Sequence, residues 1–96
     1  MSLIVRVKEI KGRCGLFKEG DEFTIEGAKL KIMTGSAICI HSLPTILHFS
    51  MALREGADPV ELGLAKEGNK AYLRCPDPGE PYTKGGGVIF EIERTD

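Results

Sequence analysis

The sequence predicts an α+β fold: a small, largely antiparallel sheet of about five strands, with one main helix over about 42–55 packed on one face. Three observations carry this expectation. Several short stretches alternate apolar and polar residues with the period of a strand. One longer stretch in the middle of the chain has helical spacing. Helices do not follow the strands in turn, as parallel βαβ units would require.

Leu3 to Glu9 alternates, with Leu3, Val5 and Val7 on one face and Arg6 and Lys8 on the other, and reads as a half-buried strand. Gly12 to Gly20 is a loop with a turn at Glu19-Gly20-Asp21. Glu22 to Ile25 and Lys29 to Ile32 alternate on either side of Glu26-Gly27-Ala28, so residues 22–32 read as a hairpin. Ser42 to Glu55 is the helix. Ser42 is placed to cap it, and Pro44 falls in the first turn, where its missing donor is no loss. Leu43, Ile46, Leu47, Ser50 and Arg54 follow one line of the wheel. Phe49, Met51 and Leu53 widen the apolar surface, which predicts burial on more than one side. Gly56 is a natural stop, and Asp58-Pro59-Val60-Glu61-Leu62 starts like a short helical turn.

Ala71 to Cys75 is a further strand, ended by Pro76. Pro76 to Gly87, rich in proline and containing Gly85-Gly86-Gly87, reads as a long mobile loop. Val88 to Glu93 is the last strand, with Val88, Phe90 and Ile92 inward and Glu91 and Glu93 outward. The acidic residues fall on strand faces where solvated charge is the default.

The chain has 96 residues, enough for a single domain over 1–96. Its composition is 42% hydrophobic and 28% charged, ordinary for a globular protein. Without Trp, the core is expected to be built from Leu, Ile, Val, Met and Phe. Thirteen basic against 14 acidic residues argue against a nucleic-acid or anionic-membrane surface, which needs a basic excess. The apolar run from Ile38 to Leu53 is too short and too often interrupted by polar residues to span a bilayer. The first residues lack the pattern of a secretory signal. Three cysteines cannot all pair within one chain, and with no export signal they read as reduced thiols in the cytoplasm.

The chemistry-bearing residues are the thiols. Cys14 sits between Gly12 and Gly15, Cys39 lies two residues before His41 and just ahead of the helix, and Cys75 opens Cys75-Pro76-Asp77-Pro78. If the fold gathers them, Cys14, Cys39 and Cys75 with His41 or His48 would make a tetrahedral Zn or Fe site, with sulfurs within about 4 Å of one another. The wide spacing, with no Cys-x-x-Cys pair, is a weak metal signal. The plain alternative is that Cys39 and Cys75 are small core hydrophobes. A thiol at a helix start favours the thiolate, so Cys39 is also a candidate nucleophile with His41 or His48 as base. Asp77, between two prolines, reads first as a turn residue. Gly85-Gly86-Gly87 does not connect a strand to a helix, so it is no phosphate cradle, though it could act as a lid.

The order of Gly12-Arg13-Cys14, Gly20-Asp21-Glu22-Phe23-Thr24-Ile25, Ile38-Cys39, Leu43 with Leu47, Cys75-Pro76-Asp77-Pro78 and Val88-Ile89-Phe90-Glu91-Ile92 resembles a family of short proteins found mostly in anaerobic bacteria and archaea. That family carries an early Gly-x-Cys, a Gly-Asp-x-Phe element, a mid-chain Ile-Cys before a helix and a late Cys-Pro-Asp-Pro. The resemblance covers nearly the whole chain, and the late motif is its most specific part. This chain has Ile40 where the family often has Pro, Pro44 where it often has His, and His48 where it tends to have Pro. The resemblance brings no established activity. It implies that the three cysteines act together, and leaves any imidazole ligand to His41 or His48.

Three function classes follow. The first is a non-catalytic interaction or regulatory module, working as a homodimer or with a protein partner. The alternative is a metal- or cluster-binding module using Cys14, Cys39 and Cys75. The third is a thiol-dependent enzyme using Cys39.

Overall fold

Alternation over β1 (Ser2–Lys11) sends Leu3, Val5 and Val7 to one face of a sheet, and the neighbouring strands continue that face. On one side Leu3 and Val5 pair with Ile25 and Phe23 of β2 (Glu22–Glu26). On the other, Val5 and Val7 pair with Ile92 and Phe90 of β5 (Gly87–Thr95). Residues directly opposed in an antiparallel pair share a face, so these side chains form one apolar layer. β3 (Lys29–Ile32) closes the hairpin with β2, and β4 (Ala71–Arg74) pairs with β5 through Ala71↔Ile92 and Leu73↔Phe90. The sheet order is β3-β2-β1-β5-β4, antiparallel throughout. The α+β expectation is met. The structure, a computed structural model, describes residues 2–95.

A bulge between Val7 and Glu9 shifts the phase of β1 by one residue. Ile10, instead of Glu9, then falls on the core face opposite Val88, and the strand runs on to Lys11, past the end that simple alternation predicts.

The helix α1 (Leu43–Arg54) covers the apolar layer with Ile46, Ser50 and Leu53 buried. Burial on several sides was expected. Instead one stripe is covered, and Leu47 and Met51 are exposed. Ser42 occupies the N-cap position but makes no side-chain cap hydrogen bond. The Cys39 carbonyl accepts the Ser42 and Leu43 N–H groups at 3.2 and 3.1 Å, so a backbone turn leads into the helix. The segment after α1 forms its expected turn, with the Asp58 side chain accepting the Val60 N–H at 3.0 Å. The core holds Leu, Ile, Val and Phe with Ala71 and Cys75, whereas Met33 and Met51 are exposed. Phe90, at 1% exposure, is its largest fully buried side chain, and truncating such a residue costs about 3–5 kcal/mol.

The opposite sheet face carries charge, but not only solvated charge. Glu91 is 3% exposed. Arg6 bonds it at 2.7 Å, and the Tyr72 hydroxyl donates to it at 3.0 Å. The Lys8 and Lys70 ammoniums lie at 3.6 and 3.9 Å. Arg6 also bonds Glu22 at 2.6 Å. Glu91 points away from the apolar layer as expected, but its neighbours bury it: β5 is an inner strand, flanked by β1 and β4. Among the described residues no helix is long and apolar enough to cross a membrane.

Candidate functional site

Three chain segments meet where β1 ends, where α1 begins and where β4 ends. Lys11 pairs with Gly87, and Gly12, at φ +90°, turns the chain out of β1. The next residues carry Cys14, whose sulfur accepts the Phe17 N–H at 3.3 Å. Phe17 anchors this loop by packing edge-on against Phe90, with ring centroids 5.5 Å apart. Cys39 stands one turn before α1. Cys75 follows β4, and its N–H bonds the Val88 carbonyl at 3.0 Å. The Cys75 sulfur accepts the Val88 N–H at 3.2 Å and its S–H reaches the Gly86 carbonyl at 3.6 Å.

These three thiols line one pocket of about 410 Å³. His41, Asp77, Thr83 and Arg13 complete its polar wall, and Phe17 and Val88 give it an apolar base. Cys75 is buried, and Cys14 and Cys39 are half-buried. The three thiols thus border a common pocket. They do not form a ligand shell: among the described residues no three His, Cys, Asp or Glu side chains are grouped to hold a metal ion. His48 lies elsewhere, exposed on α1 with its ring edge-on to Phe49 at 4.7 Å, so of the two histidines only His41 borders the pocket. Among the described residues no hydrogen bond joins Cys39 to an imidazole, the contact that the thiol-enzyme reading requires.

The 76–86 loop forms the far wall. Asp77 is the turn residue expected, accepting the Gly79 N–H at 2.9 Å, and it also accepts the Thr83 hydroxyl. The Thr83 hydroxyl, then the Gly79 amide, then the nearby Arg74 hold its carboxyl below the usual carboxylate range. Gly85 and Gly86 do more than allow movement. A Cβ on Gly86 would lie 2.1 Å from the Lys11 carbonyl and 2.5 Å from the Arg13 nitrogen. One on Gly85 would lie 2.0 Å from the Asp77 carboxylate. Gly86 lets the loop cross the end of β1 at backbone contact, and Gly85 leaves room for the Asp77 carboxylate. The loop expected to be mobile is laced by these contacts and by the Tyr82 and Thr83 N–H bonds to the Gly79 carbonyl, each 2.9 Å.

Sequence reasoning missed Thr83, Arg13 and Phe17 as pocket residues. Cys75-Pro76-Asp77-Pro78 marks one side of the pocket, but nothing in the spacing ties it to residues 13–17. No protein-family model, curated protein or solved structure matches the chain.

Proposed function

We propose that this protein is a small binding module for a thiophilic metal ion, Zn or Fe, held by Cys14, Cys39 and Cys75 with His41 as the fourth candidate ligand. The observation that supports this reading is the convergence of three thiols from distant segments on one pocket. Thiolate and imidazole are the donors that zinc and iron take in tetrahedral sites. The Cys14 and Cys75 sulfurs already accept backbone N–H groups, which would orient and stabilise thiolates. His41 is exposed in the turn before α1 and Cys39 is half-buried at its start, and metal binding would draw that turn toward Cys75. Binding would then add to folding stability, since a ligand that favours the folded state shifts the unfolding equilibrium.

The test is titration of the reduced protein with Co²⁺ under exclusion of oxygen, followed by displacement with Zn²⁺. One equivalent with sulfur-to-cobalt charge-transfer absorption is expected, together with protection of all three thiols. Each of Cys14→Ser, Cys39→Ser and Cys75→Ser should lose that absorption. Three thiols that titrate independently in the presence of metal would overturn the reading.

An interaction module is the second reading. It is favoured by a different observation: Leu30, Leu47 and Met51 are exposed around one groove between β3 and α1, beside exposed Ile32.

A further inference from the structure

The two edges of the sheet are treated differently. At β4, Tyr72 donates its backbone N–H to the Leu64 carbonyl at 2.8 Å, so the segment after α1 covers that edge. At the other edge stands β3, with all four residues exposed. Among the described residues no backbone hydrogen bond closes its outer side. An uncovered edge is a template for a further strand.

The side chains of β3 say what kind of strand. Leu30 and Ile32 continue the apolar face, opposite Ile25 and Phe23 of β2. Lys29 and Lys31 lie on the other face, opposite Glu26 and Thr24. The groove between Leu30 and α1 is lined by Leu47 and Met51, and its charged residues are the cations Lys29 and Arg54.

A second copy of the chain fits this edge poorly. In the two-fold β3–β3 pairings centred on Lys31 or on Leu30, which overlap the strand most fully and keep Leu30 and Ile32 on one apolar face, Lys31 meets Lys31 of the copy or Lys29 meets its Lys31. Like charges directly opposed are destabilising. β2 shows what fits: in Glu22-Phe23-Thr24-Ile25-Glu26 the apolar residues meet Leu30 and Ile32 and a carboxylate meets Lys29.

We infer that the outer edge of β3 docks an extended segment of a partner protein in which apolar and acidic residues alternate. The segment adds antiparallel as a sixth strand. Its apolar side chains lie across Leu30 and Ile32 toward Leu47 and Met51, and its carboxylates lie against Lys29 and Lys31. This goes beyond the thiol pocket, which lies at the opposite end of α1.

The probe is a labelled synthetic octapeptide alternating Glu with Val and Ile, compared with the same peptide carrying Lys for Glu. Anisotropy titrations should show saturable binding of the acidic peptide, about fivefold or more tighter than the basic one at low salt. Amides of residues 29–32 should gain protection from hydrogen exchange. Lys31→Glu, an exposed site, should reverse the preference between the two peptides. Equal binding of both, no saturation up to about 1 mM, or protection of 29–32 by self-association without peptide would each overturn the inference.

Discussion

The Cys75 sulfur accepts the Val88 N–H at 3.2 Å, so the thiol that ends β4 is held by the strand beside it. Cys14 and Cys39 are more open. Brief labelling of the metal-free protein with a thiol reagent, read by peptide mass spectrometry, should therefore modify Cys14 and Cys39 before Cys75. Cys75 should react only as the β4–β5 end opens. Labelling of Cys75 at the same rate as the other two would show that the sulfur is not held there.

Gly86 makes the closest crossing at the pocket. Gly86→Ala forces a methyl against the Lys11 carbonyl and the Arg13 nitrogen, both backbone atoms. The expected cost is about 1–3 kcal/mol in urea unfolding, with faster labelling of Cys75. Gly15→Ala is the control, since a Cβ there meets nothing within 4 Å, and it should stay within about 0.5 kcal/mol of the parent.

Glu91 ties three strands together through Arg6 on β1 and Tyr72 on β4. Glu91→Gln leaves Arg6 with one carboxylate fewer in a site where Glu91 itself is almost fully buried. Arg6 is part-exposed and keeps Glu22 at 2.6 Å, so the loss is that of charge-assisted hydrogen bonds, about 1.5–3 kcal/mol, read as a lower urea midpoint. The hydrogen bond to Glu91, with some burial and the carboxylate charge, raises the Tyr72 phenol above its ordinary value. Ultraviolet titration of a Tyr82→Phe background should show the Tyr72 transition move down when Glu91→Gln is added.

Acid should weaken the fold. Burial pushes the Glu91 carboxyl up, but the Tyr72 hydroxyl, Arg6 and the Lys70 and Lys8 charges outweigh it, and the group lies below its ordinary value. Asp77 is also lowered, chiefly by Thr83. A carboxyl lowered in the folded state binds fewer protons there than in the unfolded chain, so its contribution is complete above about pH 5 and is lost as pH falls through the folded value. Urea midpoints should be flat from about pH 7 to 5 and fall below about pH 4. Glu91→Gln should remove much of that fall, and a slope unchanged in the variant would show that other carboxyls govern it.

Much of the fold is legible because a period of two, a single helical stretch and glycine turns are local signals. Leu3, Val5 and Val7, the hairpin over 22–32, the helix ends and the inward set Val88, Phe90 and Ile92 all follow from them. Local signals fail where pairing decides. The bulge that brings Ile10 inward depends on how β1 meets β5. The exposure of Leu47 and Met51 depends on how little of the sheet one helix can cover. At the candidate site, Cys14, Cys39, Cys75 and His41 could be named from their residue types, but Thr83 and Phe17 could not.

By itself, then, the sequence determined the strand and helix content, the antiparallel class and the set of thiols available for chemistry, because each depends on residue type and near neighbours. Only the tertiary structure decided that Gly86 crosses the end of β1, that Cys14, Cys39 and Cys75 border one pocket, and that Glu91 lies buried among Arg6, Tyr72 and two lysines. These are relations between residues far apart in the chain. They are set by strand register and by which backbones can touch, and no local pattern encodes either.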